Sequence, residues 1–171
     1  ILREGLVYDR CSVGVVTDLG DVDGLEDQDI NHSDQLVKVM RTQIDVVLDQ
    51  GFGVLNAADP RVAGLAELCD GAVILYAEDG QLPAMVSHRA EGGRSVHLNR
   101  SGAIVLARGS EETSLGAANG LLAACRLGVS PVLAAVAVAW AMGLPSDLIV
   151  AGLRTFNPSE SKPSEEMSHG R

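Results

Sequence analysis

Three short apolar runs constrain the fold more than anything else in the chain. Residues 11–17 (CSVGVVT), 52–55 (FGVL) and 72–77 (AVILYA) are compact and apolar, and too short to be helices. Each is parted from the next by a stretch too long for a hairpin turn. Strands joined in this way pair in parallel, through a right-handed crossover connection. Their carboxyl ends then share one sheet edge, where open α/β sheets bind ligands. Near-continuous apolar runs, rather than alternating ones, fit strands covered on both faces.

The connecting segments carry helix signals. Ser33 can cap a helix over residues 33–49, whose apolar positions Leu36, Met40, Ile44, Val47 and Leu48 recur at helical spacing. Gly51 suits the position just past its end. Asp59 and Pro60 are cap and first-turn residues for a second helix to about Asp70, which Gly71 ends. Beyond the third run the character changes. Residues 95–99 alternate, 103–107 are a compact apolar run, and Arg100-Ser101-Gly102 between them signals a hairpin. From Leu115 the chain reads as Ala-rich and helical. Ser130-Pro131 opens a helix that Gly143 closes, and Ser146 or Asp147 starts a last one reaching Phe156. Residues 157–171, with two prolines and little apolar content, read as a disordered tail. The expected layout is therefore one α/β domain over residues 1–156 and a polar tail over 157–171.

Composition narrows the function. The 171 residues suffice for one sizeable core, and with aromatics at 3% that core must be Val, Leu, Ile and Ala. A formal charge of −10 argues against nucleic acid and anionic membranes as partners, since both need a positive face. Cys11, Cys69 and Cys125 show no CxxC spacing and read as buried reduced thiols of a cytosolic protein. Residues 121–142 are apolar, but Arg126, Gly128, Ser130 and Pro131 interrupt them, so a buried core helix is expected rather than a membrane span. No signal peptide opens the chain. It starts at Ile1 rather than Met, as a processed chain or a piece of a longer one would.

Few residue patterns carry chemistry. The loop after the first run holds Asp18, Asp21, Asp23, Glu26, Asp27 and Asp29 without a Lys or Arg. Such oxygen donors suit a hard cation such as Mg²⁺, with Asp21 and Asp23 the candidate ligands; a solvated acidic loop is the plainer reading. A calcium-hand reading fails, because Leu19 and Ile30 stand where its first and last carboxylates belong. Neither GxxxxGKS, GxxxxGKT nor GxGxxG occurs, so the chain has no glycine-rich phosphate loop. Ser87-His88 lacks the GxSxG elbow of a hydrolase, and His97 reads as structural. Asn56 and Asp59, at a strand end, read either as turn and cap or as an amide and a carboxylate beside an adenine.

The order of several runs is more specific. Ile1 to Leu6 (ILREGL), Cys11 to Asp18 (CSVGVVTD), Arg41 to Leu48 (RTQIDVVL), Gly53 to Pro60 (GVLNAADP), His88 to Arg94 (HRAEGGR) and the helix through Trp140 to Gly143 (WAMG) follow one another here. In this order they resemble the Mur-ligase-like C-terminal region of the cyanophycin synthetase family, over residues 1–156. The resemblance implies the second part of a Mur-type central domain: a parallel sheet with crossover helices, then a β-hairpin and Ala-rich helices. It implies a cytoplasmic ligase that joins arginine to the aspartate side chains of a poly-aspartate backbone through an acyl phosphate. ATP and Mg²⁺ are then cofactors, and a homo-oligomer is the expected full-length form. Asn56 and Asp59 match the family's Asn-Ala-Asp-Asp-Pro motif near the adenine and ribose, Thr17-Asp18 its Thr-Asn before the metal loop, and Arg3 the end of a substrate-side motif.

The departures from the family pattern are equally plain. The metal loop lacks its histidine, the following helix carries Met40 near the place of a lysine, and Gly128 and Pro131 replace a Gln and an Asn. The phosphate loop is missing from the chain. These departures imply that the chain alone is inactive. Two other readings stay open: a non-catalytic remnant or interaction module, and a relative of the peptidoglycan-precursor (Mur) ligases.

Overall fold

The computed structural model describes residues 5–125 and 127–156, and the expected tail lies outside them. Six strands form one sheet in sequence order: β1 (Cys11–Val16), β2 (Val47–Asn56), β3 (Ala72–Asp79), β4 (Arg94–Leu98), β5 (Ala103–Arg108) and β6 (Glu111–Ala117). β1 to β4 pair in parallel, and β4, β5 and β6 pair antiparallel. The three apolar runs are β1, β2 and β3, and the hairpin is β4–β5.

Among the described residues seven α-helices cover the sheet: α1 (Ser33–Met40), α2 (Thr42–Asp45), α3 (Pro60–Ala63), α4 (Pro83–Ala90), α5 (Ala118–Cys125), α6 (Val129–Ala141) and α7 (Ser146–Thr155). Neighbouring residues of a strand point to opposite faces. Thus Leu55, Leu75 and Ala77 pack with Leu36, Ile44, Val62 and Met85 from the crossover helices. Val54, Ile74 and Tyr76 pack on the other face with Leu133, Val136 and Ala137 of α6 and Ile149 of α7. The core is aliphatic, as the scarcity of aromatics requires. The apolar α6 is a core helix, and no helix among the described residues is long and apolar enough to cross a membrane.

Several sequence expectations are corrected. The helix expected over residues 33–49 ends at Met40, is followed by the short α2, and yields to β2 at Val47. Val47 is fully buried and pairs with Cys11, so burial in the sheet outweighs helical periodicity here. The cap of α1 is His32, one residue before Ser33, and Gln35 Oε1 accepts from His32 N at 3.0 Å. Gly51 lies inside β2, not past a helix. A Cβ on Gly71 would sit 2.4 Å from Gly51 O, so the two backbones approach too closely for a side chain. The helix expected to reach Asp70 is only α3 plus a 3₁₀ turn over Gly64–Leu68. Leu115 belongs to β6, a strand the sequence reading passed over because its first four residues are exposed and polar. α4 was likewise not anticipated. Cys11 and Cys69 are free thiols, as expected, but half-buried rather than buried.

One charged residue is built into the apolar packing. The Arg94 guanidinium lies 4.9 Å from the Phe52 ring centre and 5.1 Å from that of Trp140, joining β4, β2 and α6. One polar atom is badly placed. The Tyr76 hydroxyl is buried beside Ser130 of α6 yet makes no hydrogen bond of ordinary geometry, and burial pushes its pKa up to about 12. A buried donor without a partner costs about 1–3 kcal/mol. Tyr76→Phe is therefore expected to leave stability unchanged or raise it by about 1 kcal/mol, read as the urea midpoint. A loss of stability would mean that the hydroxyl is satisfied in solution.

Candidate functional site

The carboxyl ends of β1 and β2 meet at one edge, where most of the sequence-derived site residues collect. Asn56 closes β2, and its Nδ2 donates to the Thr17 carbonyl at 2.9 Å, tying the two strand ends together across 39 residues of chain. Its Oδ1 accepts from Ala58 N at 3.0 Å and sets the turn that follows. Thr17 Oγ1 donates to Asp18 Oδ2 at 3.0 Å. The structure therefore brings Thr17, Asp18 and Asn56 together.

Asp59 follows the same turn but is turned to another task. It caps α3, accepting from Arg61 N at 2.9 Å, and its Oδ2 pairs with Arg61 Nη2 at 2.7 Å. The Arg61 guanidinium holds its carboxyl below the usual carboxylate range, chiefly through this hydrogen bond. The turn-and-cap account of Asn56 and Asp59 is thus realised in full. It leaves Asn56 one amide hydrogen for a ligand.

A cleft of about 270 Å³ opens beside Asn56, walled by Ala58, Ala77, Glu78 and Leu82, with Ser130 from the start of α6. Asp59 does not line it. Ser130 was read in the sequence only as a helix opener. Its place under the carboxyl edge follows from α6 crossing β2, β3 and β4, which a linear pattern does not reveal. The volume lies below the roughly 300–1,000 Å³ of pockets that hold whole small-molecule ligands. A planar base matches the cleft better than an entire nucleoside triphosphate.

The acidic loop is pinned rather than loose. Leu19 and Ile30 are buried in the core, and Gln35 Nε2 donates to Asp29 O at 3.1 Å. The two residues that break a calcium-hand pattern are thus the loop's anchors. Asp21 and Asp23 are exposed, and Asp21 Oδ1 accepts from Val22 N at 2.7 Å. Among the described residues no group of three or more side chains is placed to hold a metal ion. Arg3 lies outside the described residues. The residues present therefore fit one face of a base or ribose, but not a complete ATP–Mg²⁺ site.

No family model matches the chain. Its curated relatives are cyanophycin synthetases. That of Synechocystis sp. (strain ATCC 27184 / PCC 6803 / Kazusa) is 33% identical over 173 residues, covering 98% of this chain and 20% of the relative. That of Geminocystis herdmanii (strain PCC 6308) is 30% identical over the same shares. The chain spans about a fifth of the length of these relatives. Among solved structures, UDP-N-acetylmuramoylalanyl-D-glutamyl-2,6-diaminopimelate--D-alanyl-D-alanyl ligase from Acinetobacter baumannii aligns with a TM-score of 0.53 at 18% identity, over 85% of this chain and 29% of that one. UDP-N-acetylmuramate:L-alanyl-gamma-D-glutamyl-meso-diaminopimelate ligase from Neisseria meningitides aligns with a TM-score of 0.53 at 15% identity, over 84% and 39%. At such identities these structures speak for the fold, which is that of the Mur-type ligases.

The cap predicts a pH signature. Asp59→Ala is expected to cost about 1 kcal/mol at neutral pH, measured by urea unfolding. Because the folded pKa is depressed, this stabilisation is present above the unfolded value near 4 and is lost as pH falls through the folded value. The gap between wild type and variant should therefore close in acid. A constant gap would exclude the carboxylate–Arg61 bond as its source.

Proposed function

We propose that this relative of the cyanophycin synthetases supplies the nucleotide-facing sheet edge of an ATP-dependent amide-bond ligase. The observation that carries this reading is the joined pair of strand ends, Thr17 and Asn56, beside the small cleft. It gains weight from homology across 98% of the chain and from the Mur-type fold. In this reading Asn56 and Ser130 face the base. Asp18 stands nearest the phosphates, and Asp21 and Asp23 line the approach of Mg²⁺. Arg3, outside the described residues, keeps the substrate-side role that the resemblance implies, toward the poly-aspartate chain. The reaction is the cytoplasmic joining of arginine to aspartate side chains through an acyl phosphate, in a larger assembly that also holds the phosphate grip.

The chain's own residues account for orientation only. Asn56 and Asp59 order the strand end and the turn, and Leu19 and Ile30 hold the acidic loop at the edge. ATP, when bound, supplies the phosphoryl group that activates the carboxylate. Positioned charges that stabilise the transferring phosphoryl group dominate such catalysis, and the 171 residues hold no glycine-rich loop to provide them. The chain alone is accordingly inactive.

A second reading, a non-catalytic interaction module, draws on one observation. Most polar atoms of Asn56 and Asp59 are spent inside the protein. Nucleotide binding separates the two. The ligase reading expects weak, saturable binding of adenosine to the chain, lost in Ser130→Leu, which fills the cleft from the α6 side. It also expects no ATP-dependent joining of arginine to poly-aspartate, followed as phosphate release. Detectable turnover would overturn the inactivity, and absence of adenosine binding would favour the module.

A further inference from the structure

The Tyr76 hydroxyl is the one buried side-chain polar atom without a partner among the described residues. A buried O–H normally has an acceptor, so an unpaired one marks either a cost of packing or a partner that arrives with a ligand. Its place in the fold favours the second. Tyr76 is 1% exposed and pairs in register with Asn56, so both side chains leave the same face of the sheet, under α6. The hydroxyl ends beside Ser130, and Ser130 is the α6 residue that lines the Asn56 cleft. Tyr76 itself does not line it. One serine therefore stands between an idle buried donor and the space that the ligase reading gives to the base.

Ser130 can join the two. It is half-buried at the second position of α6, where a helix amide has no carbonyl of a preceding turn to bond. Gly128, the cap residue, has no side chain to offer in its stead. The serine hydroxyl turns about a single bond and carries one proton and two lone pairs, so it accepts from one neighbour while donating to another. The chemistry of the two hydroxyls sets their roles. A phenolic O–H is far more acidic than an aliphatic one, and is the stronger donor and the poorer acceptor. Asp18 does not take that proton: its carboxylate is exposed and accepts from Thr17 Oγ1 at 3.0 Å. Tyr76 is thus the donor and Ser130 Oγ the acceptor, which leaves the serine proton pointing outward.

We propose that Tyr76 is a positioning residue of the cleft: by donating to Ser130 Oγ it turns the serine proton toward the bound base, so that the base atom meeting Ser130 is an acceptor. The proposal rests on the reading that a base occupies this cleft. It adds a rule of selection to that reading. The empty protein lacks the Tyr76–Ser130 bond, so forming it favours the occupied state.

The test measures adenosine affinity by calorimetry for the 171-residue chain and for Tyr76→Phe, Ser130→Ala and the double variant. Tyr76→Phe should bind adenosine about fivefold to tenfold more weakly, the scale of one hydrogen bond, while its urea midpoint stays level or rises. In the Ser130→Ala background the same change should have no further effect, because the serine carries the influence. Among the deaza analogues of adenosine, each lacking one ring nitrogen, one should bind wild type and Tyr76→Phe alike. The proposal is overturned if Tyr76→Phe binds adenosine as wild type does, if it weakens binding equally with and without the serine hydroxyl, or if every analogue keeps the full difference. Any of these results, with adenosine bound by wild type, leaves the base reading standing. Failure of wild type to bind adenosine removes both.

Discussion

Parallel pairing of β1 to β4 is the constraint on which the rest of the molecule depends. A parallel neighbour can be reached only by carrying the chain back across a face of the sheet. The strands advance in sequence order without reversing, so every return passes over the same face, and α1 to α4 lie there together. The opposite face would stand bare but for the chain's last third. The antiparallel strands β5 and β6 turn the chain, and α5, α6 and α7 then cover that face. The same geometry brings the carboxyl ends of four strands to one edge, where the candidate cleft lies.

Much of this was legible in the residues. The buried strands announced themselves because both their faces are covered, leaving uninterrupted runs such as AVILYA. The hairpin showed through its turn, and α6 through Pro131 and Gly143. What stayed hidden depended on distant partners. Val47 and Leu48 satisfy a helical pattern as well as a strand, and only pairing with Cys11 decides the matter. β6 has a polar face to solvent and joins the sheet through backbone bonds to β5, which side-chain patterns do not record. The site was legible as a list but not as an arrangement. Thr17 and Asn56 were singled out separately, and the bond between them spans two strands. His97, read as structural, is buried in β4 with its ring beside Ser95.

Homology and geometry contribute different things here. The relatives place the chain within a ligase lineage, whereas the hydrogen bonds reveal how its residues are now employed. Asp59 holds Arg61 and a helix end, the acidic loop has no histidine, and Met40 stands near the place of a lysine in the pattern that the resemblance implies. An architecture can persist on aliphatic packing alone, since nothing in Val54, Ile74 or Leu133 depends on chemistry at the edge. The sheet and its cleft are thus separable from catalysis, and conservation of one is no measure of the other.

The two outer strands of the sheet are unlike, and this bears on how the protein behaves in concentrated solution. β6 shows Glu111, Glu112, Thr113 and Ser114 to solvent, and adjacent like charges discourage a neighbouring molecule from adding a strand there. β1, with the sequence CSVGVV, has no charge and pairs with β2 alone among the described strands. Among the described residues its other margin meets no strand, and Val13, Val15 and Val16 lie along it. Self-association, where it occurs, should therefore begin along β1, opposed by the mutual repulsion of chains carrying a formal charge of −10. Salt, by screening that repulsion, acts on the margin of β1 before it touches the core.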